Sequence, residues 1–310
     1  MSLVSKKTVL AVKTEVTPGT AVALANADAA FHAFDVSIQP TAPVIIRPAL
    51  GAMGNFSSEL GAKTGTVSFR TELWSNSGSA PGWLVTLLSA AGIPASATDA
   101  YTPRSAAPGA NVKTVTIGVY RDGMLKRLRG AVGNAEFVFQ TGNPVGINWT
   151  FAGSWMTPTD AEILTPTYPS PELMRADSVD TLTIGSYTPC FSNMTLNMNS
   201  VLAPRFCVTA EGGINSYMIT DRAPGGTLDP ESRLVATEPS YTNWINKVER
   251  AMKLTLEDSL THQIEFAAPR FQITNAQEGD REGLAIDTLT YQLNRSTGDD
   301  ELKIEFLSGE

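Results

Sequence analysis

Apolar and polar residues alternate along much of this chain, the period of strands that rest one face on a core. Over 66–74, Val67, Phe69, Thr71 and Leu73 fall on one side and Ser68, Arg70 and Glu72 on the other. The same period marks 34–38, 181–184, 194–198 and the closing segment, where Leu302, Ile304 and Phe306 alternate with Lys303 and Glu305. Two stretches take helical spacing instead. Over 81–91, Trp83, Leu84, Leu87 and Leu88 share a face between Pro81 and Gly92; over 239–250, Tyr241, Trp244, Ile245 and Val248 do the same. Two short helices among roughly twelve to sixteen strands predict a mainly β fold, built as sandwiches or partial barrels each flanked by a helix.

The pattern is written twice. Thr114–Arg121 alternates, turns at Asp122-Gly123, returns through Met124–Arg129, and continues as 135–139, a loop and 147–151. Met252–Glu257 alternates, turns at Asp258-Ser259, returns through His262–Phe266, and continues as 270–273, a polar loop and Leu284–Leu293. The spacing is nearly constant: Asp122 to Asp258, Phe137 to Phe271, Trp149 to Ile286. An apolar stretch with a tryptophan, Trp83 or Trp244, precedes each block. Two copies of one β unit point to symmetric assembly rather than catalysis.

The segments between these blocks are long. Residues 1–30 carry little period and read as an arm laid on a neighbouring surface. Residues 39–63, with Ile45, Ile46, Met53 and Phe56, read as an extended arm or hairpin, because unstructured loops of that length are uncommon without a task. Residues 93–112 are an Ala/Pro/Ser-rich loop, and 201–240 is a second long connection. Four prolines between 158 and 171 place the inter-copy linker at 158–180, leaving units 1–157 and 181–310.

Composition narrows the chemistry. Only 17% of the 310 residues are charged, which points to a surface covered by partners, and the net charge of −8 argues against tight phosphate binding. Cys190 and Cys207 are too few for a disulfide framework and read as buried free thiols in a reducing compartment. The apolar run after Lys6-Lys7 is too short for a secretory signal, and 82–95 is interrupted by Thr86, Ser89 and Pro94, so neither export nor membrane insertion is expected. His32 and His262 have no nucleophile or triad partner nearby, and with Cys190 and Cys207 they lack zinc spacing. The acidic stretch 274–283 lacks the ligand order of an EF-hand, and Gly54…Gly61-Ala62-Lys63-Thr64 misses the phosphate-loop spacing. No cofactor, metal or catalytic residue is expected. The basic cluster Lys126, Arg127, Arg129 lacks a stacking aromatic and is read as pairing with acidic groups of a neighbouring subunit.

Four stretches then carry a resemblance: Glu15-x-x-Pro18-Gly19-Thr20; Gly65–Phe69 running through Leu73 into Pro81-Gly82-Trp83-Leu84; Met218-Ile219-Thr220-Asp221-Arg222-x-Pro224-x-Gly226-x-Leu228-Asp229-Pro230-Glu231; and Gly298-Asp299-Asp300-Glu301-Leu302-Lys303-Ile304-x-Phe306. Their order resembles that of bacteriophage major tail proteins, the tail tube subunits of long-tailed phages. The resemblance implies two tandem tail-tube-like units and rings whose inner strands form a continuous barrel. Those rings stack into a DNA-conducting channel. Two units per chain imply a trimeric, pseudo-hexameric ring, in a tail that leans toward the flexible, non-contractile kind. The implied partners are the chain itself, other phage tail proteins, and genome DNA passing without specific binding. The implied place is the virion tail, after assembly in the bacterial host cytoplasm. Candidate contacts between subunits or rings are Ile45, Ile46, Met53, Phe56, Lys126, Arg127, Arg129, Met218, Asp221 and Arg222. The alternatives are another β-rich virion protein (capsid decoration or tail tip) or a two-domain carbohydrate-binding β-sandwich. Against the latter, Trp74, Trp83, Trp149, Trp155 and Trp244 occupy core-like positions.

Overall fold

The computed structural model describes residues 3–48, 50, 51, 53–105, 113–175, 179–258 and 262–308. The first half holds β1 (Thr8–Thr14), β2 (Phe34–Thr41), β3 (Val44–Pro48), β4 (Asn55–Leu60), β5 (Thr64–Glu72), α1 (Gly82–Ala90), β6 (Ala95–Ala97), β7 (Ala100–Tyr101), β8 (Val115–Arg121), β9 (Met124–Gln140) and β10 (Gly146–Asp160). The second holds β11 (Val179–Ile184), β12 (Phe191–Asn197), β13 (Val201–Phe206), β14 (Ile214–Asp221), β15 (Gly225–Pro230), α2 (Ser240–Ile245), β16 (Glu249–Glu257), β17 (Gln263–Arg281), β18 (Leu284–Asn294) and β19 (Lys303–Leu307).

The fold is mainly β. Fifteen strands from both halves form one antiparallel sheet, with β3–β4 and β13–β14 as separate two-stranded hairpins. In the first half the pairing runs β2–β5–β10–β9–β8–β1. In the second it runs β12–β15–β18–β17–β16–β11. The halves meet where β12 adds to the far part of β9, Asn193 opposite Gln140 and Asn197 opposite Glu136. One edge of the second half is extended by β19, β7 and β6.

One core underlies both halves. Val67 and Phe69 of β5 and Leu73 just after it are buried as their alternation requires, with Phe137, Phe139, Trp149 and Phe151 beside them. Trp149 donates from its indole N–H to Thr71 Oγ1 at 2.9 Å, which satisfies two polar groups in the interior. From the second half come Leu196, Phe266, Phe271, Leu289 and Tyr291; Phe266 meets Phe137 and Phe139 edge-on. Leu84, Leu87 and Leu88 of α1 close the same core, and Trp83, Trp155 and Trp244 pack at its margin. Leu302, Ile304 and Phe306 face in as their alternation predicts.

Several expectations need correction. The start of the chain is no arm for a neighbour: residues 8–14 form β1, bury Leu10, Ala11 and Val12, and pair with β8. Within 201–240 the chain makes three strands, and the turn-like Gly225–Pro230 is a sheet strand between β12 and β18. The polar stretch 274–281 is not a loop either; it prolongs β17 to a two-residue turn at Glu282-Gly283. Its low hydrophobicity reflects exposure rather than irregular backbone. Residues 93–105 contain β6 and β7, while the remainder of that stretch, 106–112, and the turn position Ser259 lie outside the described residues. The second helix ends at Ile245 rather than 250, because Lys247 takes a positive φ and β16 begins at Glu249; Tyr241 and Ile245 are exposed. In all, nineteen strands are present among the described residues, more than expected, because the long connections are hairpins.

Candidate functional site

One face of the large sheet is turned away from the core, and rows of hydroxyls and amides run across its middle strands. Along one line Ser68, Thr150 and Asn134 lie level on β5, β10 and β9. On the second half Thr227, Thr290 and Asn275 lie level on β15, β18 and β17, with Thr195 of β12 bonded to Thr227 hydroxyl to hydroxyl at 3.0 Å. Amides join neighbouring strands: Asn134 donates to Asn197 at 2.8 Å and Gln292 to Gln272 at 3.0 Å. Charged side chains on this face are mostly paired with one another or with amides: Arg270 with Glu249 at 3.0 Å, Lys253 with Glu265 at 2.6 Å, Lys303 with Glu305 at 2.8 Å, and Glu136 with Asn148 at 3.0 Å.

Three anchors hold the sheet together. The first is Glu15, a buried carboxylate just after β1. It accepts from Gly19 N–H (2.7 Å), Gly130 N–H (2.7 Å), Thr114 Oγ1 (2.7 Å) and Thr116 Oγ1 (2.9 Å). Gly130 sits at the β9 bulge with φ +57°, and a Cβ there would lie 2.8 Å from Ser216 Cα, so the bulge admits β14 only as glycine. The second is Asp229, which accepts from the N–H groups of Ser192 (2.8 Å) and Asn193 (2.6 Å) and from the Ser192 hydroxyl (2.7 Å), fixing β12 to β15. Beside it Gly226 passes so close to β12 that a Cβ would meet Thr195 O at 1.9 Å. The third is Arg222, which binds Asp299 at 2.7 Å and also Glu301, tying the end of β14 to the segment before β19.

Burial alone would raise the carboxyls of Asp229 and Asp299. At Asp229 the donors of Asn193 and Ser192 outweigh it; at Asp299 the donors of Ser105 and then the Arg222 guanidinium do so, and both groups are held below the usual carboxylate range. The sign follows: a depressed folded pKa stabilises fully above the unfolded value, about 3.9, and is lost as pH falls through the folded one. The subunit is expected to hold a level melting temperature from neutrality to about pH 4 through these two groups and to lose stability below it. Asp229→Asn should flatten that acid limb in a pH series of thermal melts.

The anticipated contact residues divide into two sets. Ile45, Ile46, Met53 and Phe56 are all exposed on the β3–β4 hairpin, together with Val44, Leu50 and Leu60. Its only ring contact among the described residues is with its own Arg47, 5.8 Å above Phe56. Met218 and Asp221 on β14 are exposed too. Of the basic residues, Arg129 and Arg222 are engaged within the chain. Arg129 donates to Gly19 O at 2.9 Å and pairs with Glu211 at 3.5 Å, and Arg222 is held as described, lining a cleft with Arg104, Arg205 and Arg295. Arg127 is half-buried with its Nε unpaired, and Lys126 lies half-buried beside it on β9. The thiols are not buried as expected: Cys190 is exposed and Cys207 half-exposed. His262 closes its hairpin by bonding Asp258 through both N–H and Nδ1 at 2.9 Å, and His32 stacks on Tyr168.

Strands dominate, the polar face is continuous, and an apolar hairpin stands clear of the body, which defines a structural protein built to join others. The chain matches the phage tail tube protein family over residues 5–293 and belongs to it. It is thus a structural, non-enzymatic component of the virion tail that assembles with itself into a tube. Comparison with curated proteins returns no match. Residues of three of the four recognised stretches form the anchors: Glu15 comes from the first, Asp229 from the third, and Arg222 of the third grips Asp299 and Glu301 of the last.

Proposed function

We propose that this protein is the repeating subunit of a DNA-conducting tail tube, that residues 1–157 and 181–310 are two copies of one unit joined by 158–180, and that three chains supply six units per ring. The observation that carries the duplication is the identical pairing order of the two halves, down to a hairpin inserted at the same point, β3–β4 between β2 and β5 and β13–β14 between β12 and β15. The bulge gives a common origin. Ala131 of β9 and Phe271 of β17 each stand just past a register shift, opposite Val115 and Arg250. From there one rung reads Val132–Ala152–Thr66–Gln39, and its counterpart reads Gln272–Gln292–Gly225–Asn197. This register equates Phe271 with Ala131 rather than with Phe137, as simple spacing would have it. The β16–β17 turn is longer, which displaces the sequence count.

The hydroxyl and amide face lines the lumen in this reading. Most cations on this face are tied to carboxylates, Arg270 to Glu249, Lys253 to Glu265 and Lys303 to Glu305, which leaves few free to neutralise phosphates, so duplex DNA slides past it without being held. The apolar β3–β4 hairpin makes the contact between rings, and the remaining tail proteins meet the tube at its ends.

Accessibility tests the lumen assignment. In a Cys190→Ser/Cys207→Ser background, Thr150→Cys in intact tubes should react with a small maleimide and resist one carried on a protein larger than the bore. Equal reaction with both reagents would place this face outside the tube.

A further inference from the structure

Among the open edges of the sheet in the described residues, two are the two halves of a junction already made once inside the chain. Within the chain β12 pairs with β15 on one side and with the far part of β9 on the other. Its counterpart β2 pairs, among the described residues, with β5 alone. Among the described residues, the far part of β17, 273–281, pairs with β18 alone, since the β16 ladder ends at Gln272 and the β19 ladder at Ala267. Burial records the missing neighbour. Met194 and Leu196 of β12 are buried, whereas Val36 and Ile38, at the same positions of β2, remain partly exposed against the same core.

We propose that β2 of one chain adds antiparallel to the 277–281 edge of β17 in the next, repeating between chains the β9–β12 junction within one. This rests on the duplicated-unit reading above. The occupant is a second copy of this chain, because the strand that fits this kind of edge within the chain is β12, and β2 is its counterpart. The register follows from the rungs. Asn197 stands opposite Glu136, Asn197 corresponds to Gln39, and Glu136 corresponds to Gln277, two residues past the level pair Asn134 and Asn275. Gln39 therefore meets Gln277, Ile38 meets Glu278, Ser37 meets Gly279, Val36 meets Asp280 and Asp35 meets Arg281.

The chemistry at the end of that ladder is complementary. Arg281 Nη1 is buried without a hydrogen-bond partner, and its nearest carboxylates, Asp229 and Glu231, lie 3.6 and 3.9 Å from the guanidinium. Asp35 brings a third carboxylate to it. Where β9 presents Phe137 and Phe139, β17 presents Glu278 and Asp280, so the free edge is charged. Charges on an open edge keep a lone subunit from pairing indiscriminately, while backbone pairing in the right register tolerates them. The contact is heterologous, each chain offering β2 to one neighbour and β17 to the other, and such a contact closes into a ring when its rotation does.

A disulfide reads the register, since residues directly opposite in an antiparallel pair lie within bridging distance. In the Cys190→Ser/Cys207→Ser background, Ser37→Cys/Gly279→Cys should convert the monomer band of oxidised, assembled protein into a ladder that ends at a closed oligomer and vanishes on reduction. Mixing the two single variants should give dimers that neither gives alone. Val138→Cys/Thr195→Cys, the equivalent pair inside the chain, is the control and should bridge within the monomer. Rings or tubes in electron micrographs without the Ser37–Gly279 link overturn the edge pairing and leave the tube reading standing. Protein that stays monomeric at every concentration and never links overturns both.

Discussion

Glu15→Ala is expected to destabilise the subunit by about 4 kcal/mol, a large part of the roughly 5–15 kcal/mol that holds a domain folded. The carboxylate is buried and accepts two backbone N–H groups and two threonine hydroxyls. The hydroxyls can turn elsewhere, but the N–H groups of Gly19 and Gly130 are fixed by their backbone and would be left without a partner. Both glycines also lie directly under β14: a Cβ on Gly19 would meet Asn215 O, and one on Gly130 would meet Ser216 Cα. Loss of Glu15 therefore loosens the seat on which the β13–β14 hairpin crosses from the second half to the first. Glu15→Gln keeps one acceptor oxygen and should lose about half as much. Denaturant midpoints measure both, and an alanine variant within about 1 kcal/mol of the parent would show that the four bonds contribute little.

The strands of the core were legible because alternation and burial coincide there. Val67, Phe69 and Leu73, and Leu302, Ile304 and Phe306, needed only the period of two. Helix α1 was legible because Pro81 and Gly92 bound it, whereas α2 lacks such a stop and its apparent continuation to Val248 belongs to the approach of β16. The far part of β17 was unreadable for a physical reason. A strand pairing on one side only, with charged side chains, has no hydrophobic period to announce it. The role of Glu15 was visible only as a motif letter, since its four donors come from 19, 114, 116 and 130 and converge through the fold. Pattern also could not separate the members of the basic cluster, because it cannot tell a guanidinium free for a neighbour from one, such as Arg129, already bonded to Gly19 and Glu211.

Excision of the β3–β4 hairpin should separate folding from stacking. Gly61 N–H already donates to Pro43 O at 2.9 Å, so joining Pro43 to Gly61 removes 44–60 with little backbone movement. The described residues of this segment are exposed along both strands, and none of them joins the core. An isolated two-stranded hairpin is marginal in water, and this one displays Val44, Ile45, Ile46, Leu50, Met53, Phe56 and Leu60 to solvent. The related β13–β14 hairpin shows what such a ribbon does when it has a seat: Ile214 and Tyr217 are buried against Val132 and Ala152. The shortened chain should melt within a few degrees of the parent and still close rings, while long tubes disappear from electron micrographs and sedimentation. Long tubes at the parent yield would remove the hairpin from the contact between rings. Unfolding of the shortened chain would assign the hairpin a part in the fold that its exposure argues against.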